Sequence, residues 1–337
     1  KMLTPSIGDH TITISPNAKY FIDSYSQVDL PPIHEVRDMN GKLVSTLEKT
    51  DISRLTATGW KPPTPFTVKS AQGQWDLYGL LFTPKAMKLD EKLPVIVNIY
   101  PGPQGGSVGS WSFIASRGDN QALAELGFVV VQIEGSCNPN RSKSFHDACY
   151  GNMGENTLPD QISGLKQLQE KYEFLDLDNV GIWGHSGGGF ATAAAMFKYP
   201  DFFKVGISES GNHDNRNYED DWGERYIGLE TKDNNGVSNY EKQANQIFAK
   251  DLKGKLLLIH GGMDDNVPPY NSYLVVDALI KANKDFDFIL LPNARHGYGK
   301  DSYYIMRRRW DYFVQNLMHA VPPKEYVIKI AADPRNK

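Results

Sequence analysis

The residues best suited to chemistry lie in a glycine-rich motif near the middle of the chain. Gly184-His185-Ser186-Gly187-Gly188 fits the pattern Gly-x-Ser-x-Gly, after the apolar run 180–183 and before the alanine-rich segment 190–197. This order predicts a strand, a sharp turn and a helix, an arrangement that holds the serine hydroxyl above a sheet. The strained turn requires neighbours without side chains, which Gly184, Gly187 and Gly188 would supply. Ser186 is therefore a candidate nucleophile.

The same pattern occurs a second time in a different context. Gly105-Gly106-Ser107-Val108-Gly109 lies in a stretch rich in proline and glycine, and no strand leads directly into it. We interpret Ser107 as a loop residue. The alternative for Ser186 is a turn without chemistry, so the motif needs partners elsewhere in the chain.

Two later loops offer those partners. A serine hydroxyl needs an imidazole to accept its proton and a carboxylate to orient that imidazole. In an open α/β sheet such groups follow the carboxyl ends of strands. The loop after run 256–260 carries Asp264 and Asp265, and the loop after run 286–291 carries His296. Each alone could be an ordinary turn or surface residue, but together with Ser186 they follow the order Ser, Asp, His.

An oxyanion formed by the attack of Ser186 needs hydrogen-bond donors that are already in place. The backbone N–H of Gly187, directly after the nucleophile, is one candidate. The phenol of Tyr100, at the end of the apolar run 95–100, is the second. The alternative for Tyr100 is a packed aromatic side chain at a strand end.

The segments around these residues predict an α/β architecture. From residue 66 onward, apolar runs alternate with helical stretches, which indicates a mainly parallel sheet flanked by helices on both faces. The first strands should be antiparallel and the later ones parallel. The predicted strands are 77–83, 95–100, 128–133, 180–183, 205–209, 256–260 and 286–291. The predicted helices are 120–126, 158–172, 188–197, 271–281 and 303–318.

The N-terminal part follows a different pattern. Short β-like runs separated by turn residues predict a small antiparallel meander within residues 1–50. A few short strands bury little by themselves, so this piece should pack against a larger unit or belong to one. The predicted division is a meander at 1–50, a linker at 51–65, a catalytic domain at 66–320 and a C-terminal tail at 321–337.

Composition excludes several classes of function. The chain has 337 residues and a formal net charge of −4, so it lacks the excess of basic residues that binding to nucleic acid requires. No uninterrupted apolar run is long enough to span a membrane. Neither a His-Glu-x-x-His motif nor a Cys/His cluster is present, so we expect no metal and no cofactor. The basic run 307–309 is interpreted as a solvated helix face. Whether Cys137 and Cys149 are bridged stays open.

Taken together, these motifs resemble the catalytic domain of the prolyl oligopeptidase family of serine peptidases, especially its dipeptidyl peptidase IV branch. The motifs that carry the resemblance are Asn98-Ile99-Tyr100-Pro101-Gly102-Pro103, Gly184-His185-Ser186-Gly187-Gly188, Glu224-Arg225-Tyr226-Ile227-Gly228, His260-Gly261-Gly262-Met263-Asp264-Asp265-Asn266-Val267 and His296-Gly297. The resemblance implies an α/β-hydrolase fold. It also implies Ser186 as nucleophile, Asp264 as the orienting acid, His296 as base, and Tyr100 with the Gly187 N–H as the oxyanion hole.

The resemblance also implies a substrate pocket. Tyr218 and Trp222 would wall a pocket that accepts proline, Asn266 would contact a substrate carbonyl, and Val267 would line the pocket. Tyrosine is usual at the position of Trp222, so the tryptophan would narrow or reshape the pocket. The alternative for both aromatic residues is ordinary packing.

The expected function is a serine peptidase that releases Xaa-Pro or Xaa-Ala dipeptides from the N-termini of short peptides. The alternatives are an acylaminoacyl peptidase or esterase with the same triad, and a silent hydrolase scaffold used for binding. Relatives carry an N-terminal β-propeller that grips the substrate amine, so residues 1–50 are expected to be its last part and the chain a fragment. The resemblance also implies a homodimer and a periplasmic or secreted location.

Overall fold

The computed structural model describes residues 2–88, 90–155 and 157–329. Their strands form two sheets. The smaller sheet contains β1 (Asp9–Ile14), β2 (Tyr20–Ser26), β3 (Ile33–Asp38) and β4 (Leu43–Lys49). These strands pair in chain order, each antiparallel to the next. The predicted meander is therefore confirmed.

The larger sheet contains the remaining strands of the described residues. They are β5 (Thr64–Lys69), β6 (Asp76–Phe82), β7 (Leu93–Asn98), β8 (Val129–Ile133), β9 (Leu175–His185), β10 (Phe203–Glu209), β11 (Lys255–Gly261) and β12 (Asp287–Leu291). The helices are α1 (Ser53–Thr56), α2 (Asn120–Glu125), α3 (Lys143–His146), α4 (Leu158–Lys171), α5 (Gly187–Lys198), α6 (Asp220–Tyr226), α7 (Tyr270–Lys281) and α8 (Ser302–Asn316).

The order of strands in the larger sheet positions the site. That order is β12-β11-β10-β9-β7-β8-β6-β5. The pairs β5–β6 and β6–β8 are antiparallel and the others are parallel, as predicted. From β7 the chain moves to β8 on one side and then returns to β9 on the other. The carboxyl ends of β7 and β9 thus flank a switch point, where open α/β sheets bind ligands.

Apolar side chains on both faces of this sheet are buried under helices. Successive residues of a strand point to opposite faces, so Val95 and Val97 pack in the cluster with α4, α5 and α7, while Ile96 packs with α2 and α8. Burial on both faces explains why these strands read as continuous apolar runs. The sheet with helices on both faces confirms the predicted fold class.

The predicted linker contains regular structure. Helix α1 lies within residues 51–65, and β5 begins at Thr64, inside that range. The sequence analysis missed the start of this strand because proline usually indicates a turn or loop, and Pro65 lies within β5. A proline is tolerated there because β5 is an edge strand, where an absent N–H interrupts fewer hydrogen bonds. The division into domains stays a prediction.

Two further observations bear on the sequence. Cys137 and Cys149 form a disulfide, which answers the question that the sequence left open. Among the described residues, none of the helices combines the length and the apolar character needed to cross a membrane.

Arg309 contradicts the interpretation of the basic run as a solvated face. Its side chain is buried, its Nη2 donates to Asp119 Oδ2 at 3.0 Å, and its Nη1 pairs with Glu209. The guanidinium also lies 3.6 Å from the ring centroid of Trp183. The prediction was wrong for Arg309 because two buried carboxylates from other elements compensate its charge.

Replacing Arg309 with methionine is expected to lower the free energy of unfolding by about 3–5 kcal/mol, because it leaves Asp119 and Glu209 buried without a counter-charge. Urea unfolding followed by circular dichroism would measure the change. Arg54→Met is the matched control, since Arg54 is exposed on α1 and a substitution at an exposed position should cost less than about 1 kcal/mol. Equal losses in the two variants would contradict the assignment.

Candidate active site

Ser186 lies at the sharp turn between β9 and α5. The strand ends at His185, the helix begins at Gly187, and Ser186 between them has φ 59° and ψ −123°. This left-handed φ is unfavourable for a residue with a side chain, and the surrounding structure must hold it in place. The Ser186 N–H donates to the carbonyl of Glu209 at 2.8 Å. The strained turn that the sequence predicts is present.

Close backbone approach explains three glycines around this turn. A Cβ atom on Gly184 or Gly188 would lie 2.4 or 2.2 Å from the Ile99 carbonyl oxygen, and one on Gly189 would lie 2.3 Å from the Glu209 carbonyl oxygen. Gly187 differs from the prediction, because its Cβ would meet only the Tyr100 ring, at 3.9 Å. The turn itself therefore requires glycine at 184, 188 and 189, and it leaves room for a side chain at 187.

The loops after β11 and β12 bring an aspartate and a histidine together. Asp264 Oδ2 lies 2.8 Å from His296 Nδ1, while Asp264 Oδ1 accepts the backbone N–H groups of Val267 at 2.9 Å and Asn266 at 3.1 Å. Asp265 instead forms an exposed ion pair with Arg295. The structure thus places Asp264, and not its neighbour, against the imidazole.

Hydrogen bonds keep Asp264 ionised. Burial raises the pKa of its carboxyl, but hydrogen bonds with His260, His296 and the Val267 N–H outweigh burial and hold the pKa well below its usual range. A carboxylate in this position accepts the Nδ1–H of His296. The Nε2 atom of the imidazole is then the one that can accept a proton.

The imidazole of His296 lies beside the turn that carries Ser186. Its ring centroid is 4.5 Å from that of His185, the residue directly before Ser186. Among the described residues, the His296 imidazole is hydrogen-bonded to Asp264, and no hydrogen bond joins it to the Ser186 hydroxyl. Catalytic hydrogen bonds of this kind often become short only when substrate binds.

Tyr100 is oriented by a chain of two hydrogen bonds. Trp222 Nε1 donates to Gln104 Oε1 at 3.1 Å, and Gln104 Nε2 donates to the Tyr100 hydroxyl at 3.0 Å. An indole nitrogen can only donate, so it fixes which end of the Gln104 amide faces Tyr100. Because the phenol oxygen accepts a hydrogen bond from Gln104, the Tyr100 O–H can point toward Ser186.

Burial keeps the two tyrosines near Ser186 protonated. It raises the pKa of Tyr100, although hydrogen bonding with Gln104 and Ser186 partly offsets the effect. Burial, followed by the charge of Glu219, raises the pKa of Tyr218 to about 12. Tyr100 therefore remains an O–H donor at neutral pH, as an oxyanion hole requires.

A pocket opens beside Ser186 and Gly187. Tyr218 and Trp222 line it, with their rings 5.7 Å apart in an edge-to-face arrangement. Asn266 and Val267 are not among the described residues that line this pocket. Their backbone N–H groups instead hold Asp264, so their predicted contacts with substrate depend on the resemblance alone.

Sequence reasoning missed several residues that line this pocket, among them the polar residues Gln104, Asn212 and Asn215. Asn212 and Asn215 follow β10, at the same edge of the sheet as the loops that carry Asp264 and His296. The rule that located those loops could have located the asparagines too. Gln104 carries no signal of its own, because its role depends on the contact with Trp222, which is distant in the chain.

Comparisons with known proteins agree with this geometry. Residues 113–320 match the model of the prolyl oligopeptidase family. Dipeptidyl peptidase 8 of Mus musculus is 30% identical over 305 residues, which cover 87% of this chain and 34% of the relative. Venom dipeptidyl peptidase 4 of Vespula vulgaris is 32% identical over 236 residues, which cover 68% and 30%.

Solved structures give the same result. Porphyromonas gingivalis dipeptidyl peptidase 4 superposes with a TM-score of 0.81 and 26% identity, covering 94% of this chain and 44% of that one. A Bacteroides ovatus protein superposes with a TM-score of 0.84 and 29% identity, covering 94% and 45%. The chain thus spans about a third of the length of the two relatives and less than half of either crystallised chain. By sequence and by fold, it belongs to the prolyl oligopeptidase family.

Proposed function

We propose that the protein is a serine peptidase that releases Xaa-Pro or Xaa-Ala dipeptides from the N-termini of short peptides through an acyl-enzyme. The observation that carries the proposal is the 2.8 Å contact between Asp264 and His296 beside the strained turn of Ser186. Three loops from separate strands supply these groups at one edge of the sheet. This is the arrangement that acyl transfer through an activated serine uses.

In the proposed first step, Ser186 Oγ attacks the carbonyl carbon of the scissile peptide bond while His296 Nε2 accepts the hydroxyl proton. The carbonyl oxygen becomes an oxyanion, which the Gly187 N–H and the Tyr100 hydroxyl stabilise. Gly187 is the first residue of α5, so the positive end of the helix also faces this charge. The C–N bond then breaks, and His296 returns the proton to the leaving amine.

In the second step, water replaces the leaving amine in the site. His296 takes a proton from the water, whose oxygen attacks the ester carbonyl, and Ser186 leaves with that proton. The dipeptide acid is released and the free enzyme is restored. Asp264 stays ionised throughout and keeps the imidazole in the tautomer that accepts a proton at Nε2.

The proposal is tested by comparing hydrolysis rates of Gly-Pro-p-nitroanilide, acetyl-Ala-p-nitroanilide and p-nitrophenyl acetate. A dipeptidyl peptidase should prefer the first substrate. Preference for the second or third would instead favour an acylaminoacyl peptidase or an esterase. A fluorophosphonate probe should label Ser186, and a correctly folded protein that neither reacts with the probe nor cleaves any of the substrates would be a silent scaffold.

Tyr100→Phe is expected to lower kcat for Gly-Pro-p-nitroanilide by about 10²–10³-fold, because one oxyanion donor is lost. KM should change little, since the phenol acts mainly on the transition state. Steady-state kinetics would measure both values. Tyr199→Phe, in a half-buried tyrosine just after α5, is the matched control and should keep the wild-type kcat. A kcat within a factor of three of wild type in Tyr100→Phe would contradict this role.

The larger context of the site is also part of the proposal. Residues 66–320 would form the catalytic domain, and residues 1–50 the last part of a β-propeller. Disulfides persist in oxidising compartments, so the Cys137–Cys149 bridge supports the export that the resemblance implies. A homodimer remains a prediction from the resemblance.

A further inference from the structure

Asn138 holds a tight turn next to the proposed oxyanion hole. The turn consists of residues 102–105, and the Gly105 N–H closes it by donating to the Gly102 carbonyl at 3.3 Å. Asn138 Nδ2 donates to the carbonyls of both glycines, at 2.9 Å each. An asparagine amide has two N–H donors, and here both hold the two ends of one turn. Asn138 is only 4% exposed, so water has little access to these bonds.

The turn bears on the chemistry because it carries Gln104. The Gln104 side chain accepts a hydrogen bond from Trp222 Nε1 at 3.1 Å and donates one to the Tyr100 hydroxyl at 3.0 Å. A shift of the turn would move this amide, and hydrogen bonds weaken steeply as their geometry worsens. Tyr100 would then lose the partner that lets its O–H point toward Ser186. Asn138 is not among the described residues that line the pocket beside Ser186, so its route to the oxyanion hole runs through the turn.

The disulfide fixes the backbone from which Asn138 projects. Cys137, directly before it, has φ 81°, which is unfavourable for a residue with a side chain and persists only where the surroundings impose it. Cys137 is fully buried and bonded to Cys149. Cys149 in turn packs, as Trp222 does, against the apolar cluster of Met153, Ile227 and Tyr240. The bridge therefore joins the support of the turn to the support of the Trp222 indole.

A second contact comes from within the segment that the disulfide closes. His146 Nε2 donates to the Pro103 carbonyl at 2.7 Å, on the same turn. The two cysteines are 12 residues apart in sequence, and a cross-link restricts the freedom of the chain between its ends. Without the bridge, both side chains that hold the turn would be placed less tightly.

We propose that Asn138 is a positioning residue that acts through Gln104 on the oxyanion-hole donor Tyr100. The Cys137–Cys149 bridge keeps Asn138 in place. The inference rests on the proposed function, and it applies to any acyl substrate, since an oxyanion forms in each case. Because Asn138 acts through Tyr100, the loss expected from removing the Tyr100 hydroxyl, about 10²–10³-fold in kcat, is the upper limit of its effect.

Asn138→Ala is expected to lower kcat for Gly-Pro-p-nitroanilide by about ten- to a hundredfold and to change KM by less than about twofold, because the support acts on the transition state. Steady-state kinetics would measure both values at a temperature where circular dichroism shows the variant to be folded. Gln121→Ala is the matched control. It removes an amide that donates to the Thr83 carbonyl at 3.1 Å, does not line the pocket and should keep the wild-type kcat. A folded Asn138→Ala protein with a kcat within about a factor of three of wild type would refute the positioning role.

A double-mutant cycle tests the route through Tyr100. Once Tyr100→Phe has removed the hydroxyl, adding Asn138→Ala should lower kcat by less than about threefold, because residues that act through one another are not additive. If the two losses multiplied instead, Asn138 would be acting on another group or on the fold as a whole, and the inference would fail.

The bridge is tested by replacing both Cys137 and Cys149 with serine. The double variant should also lose about ten- to a hundredfold in kcat at a nearly unchanged KM, and Asn138→Ala should add little to it. A folded double variant with the wild-type kcat would exclude a role for the bridge. If Asn138→Ala does not fold, this variant and its cycle with Tyr100→Phe decide the matter. Wild-type protein that cleaves none of the three test substrates would refute the proposed function itself, whereas active wild type with unaltered variants would refute only the inference.

Discussion

Replacing Ser186 with alanine is expected to lower kcat/KM for Gly-Pro-p-nitroanilide by about four to six orders of magnitude. The hydroxyl is the proposed nucleophile, so its removal abolishes the acyl-enzyme route and leaves only binding and the oxyanion hole. Alanine differs from serine by one oxygen atom and can occupy the same turn. The unfolding midpoint in urea should therefore stay close to that of the wild type.

Ser107→Ala provides the matched control for this result. Ser107 lies in the second Gly-x-Ser-x-Gly sequence, where the chain forms turns and bends with no strand or helix directly on either side. The Ser107→Ala variant should keep wild-type kinetics and still react with a fluorophosphonate. If Ser186→Ala kept more than a hundredth of the wild-type kcat/KM, the nucleophile would have to be sought elsewhere.

The contrast between the two serines shows what the sequence can predict. The motif alone matches both, and only the flanking apolar run and helix-forming segment distinguish them. Such local order is readable because a strand and a helix have different periods and glycine marks a strained turn. The same reasoning located the loops that carry Asp264, Asp265 and His296, since each loop follows a strand whose carboxyl end must meet the edge of the sheet. The choice of Asp264 over Asp265 came from the family resemblance.

The features that escaped prediction depend on contacts between distant segments. Asn212 looks like an ordinary loop residue until the fold places it in the pocket that also contains Trp222. Gly189 lies in α5, and only the fold shows why it must be glycine: a Cβ atom there would lie 2.3 Å from the Glu209 carbonyl oxygen. The sequence analysis placed Arg309 on a solvated face, because its partner Asp119 is 190 residues away in sequence. In each case the deciding neighbour is set by tertiary packing, about which local periodicity contains no information.

Asp264→Asn is expected to lower kcat by about 10⁴-fold, as loss of the orienting carboxylate does in serine peptidases. The carboxylate uses one oxygen for His296 and the other for the backbone N–H groups of Asn266 and Val267. An asparagine has a single acceptor oxygen. If this oxygen accepts the backbone N–H groups of Asn266 and Val267, the amide NH₂ faces His296 Nδ1. The proton of the neutral imidazole then moves to Nε2. That tautomer cannot accept the proton of Ser186.

Asp265→Asn makes the same chemical change one residue away and should leave kcat unaltered. Its carboxylate is exposed and pairs with Arg295 at the surface, where an ion pair contributes little. Stopped-flow measurement of the first turnover would separate slow acylation from slow product release in Asp264→Asn. A severe loss in Asp265→Asn together with a mild one in Asp264→Asn would reverse the assignment. Equal and mild losses in both would mean that His296 works without an orienting carboxylate, which would contradict the proposed mechanism.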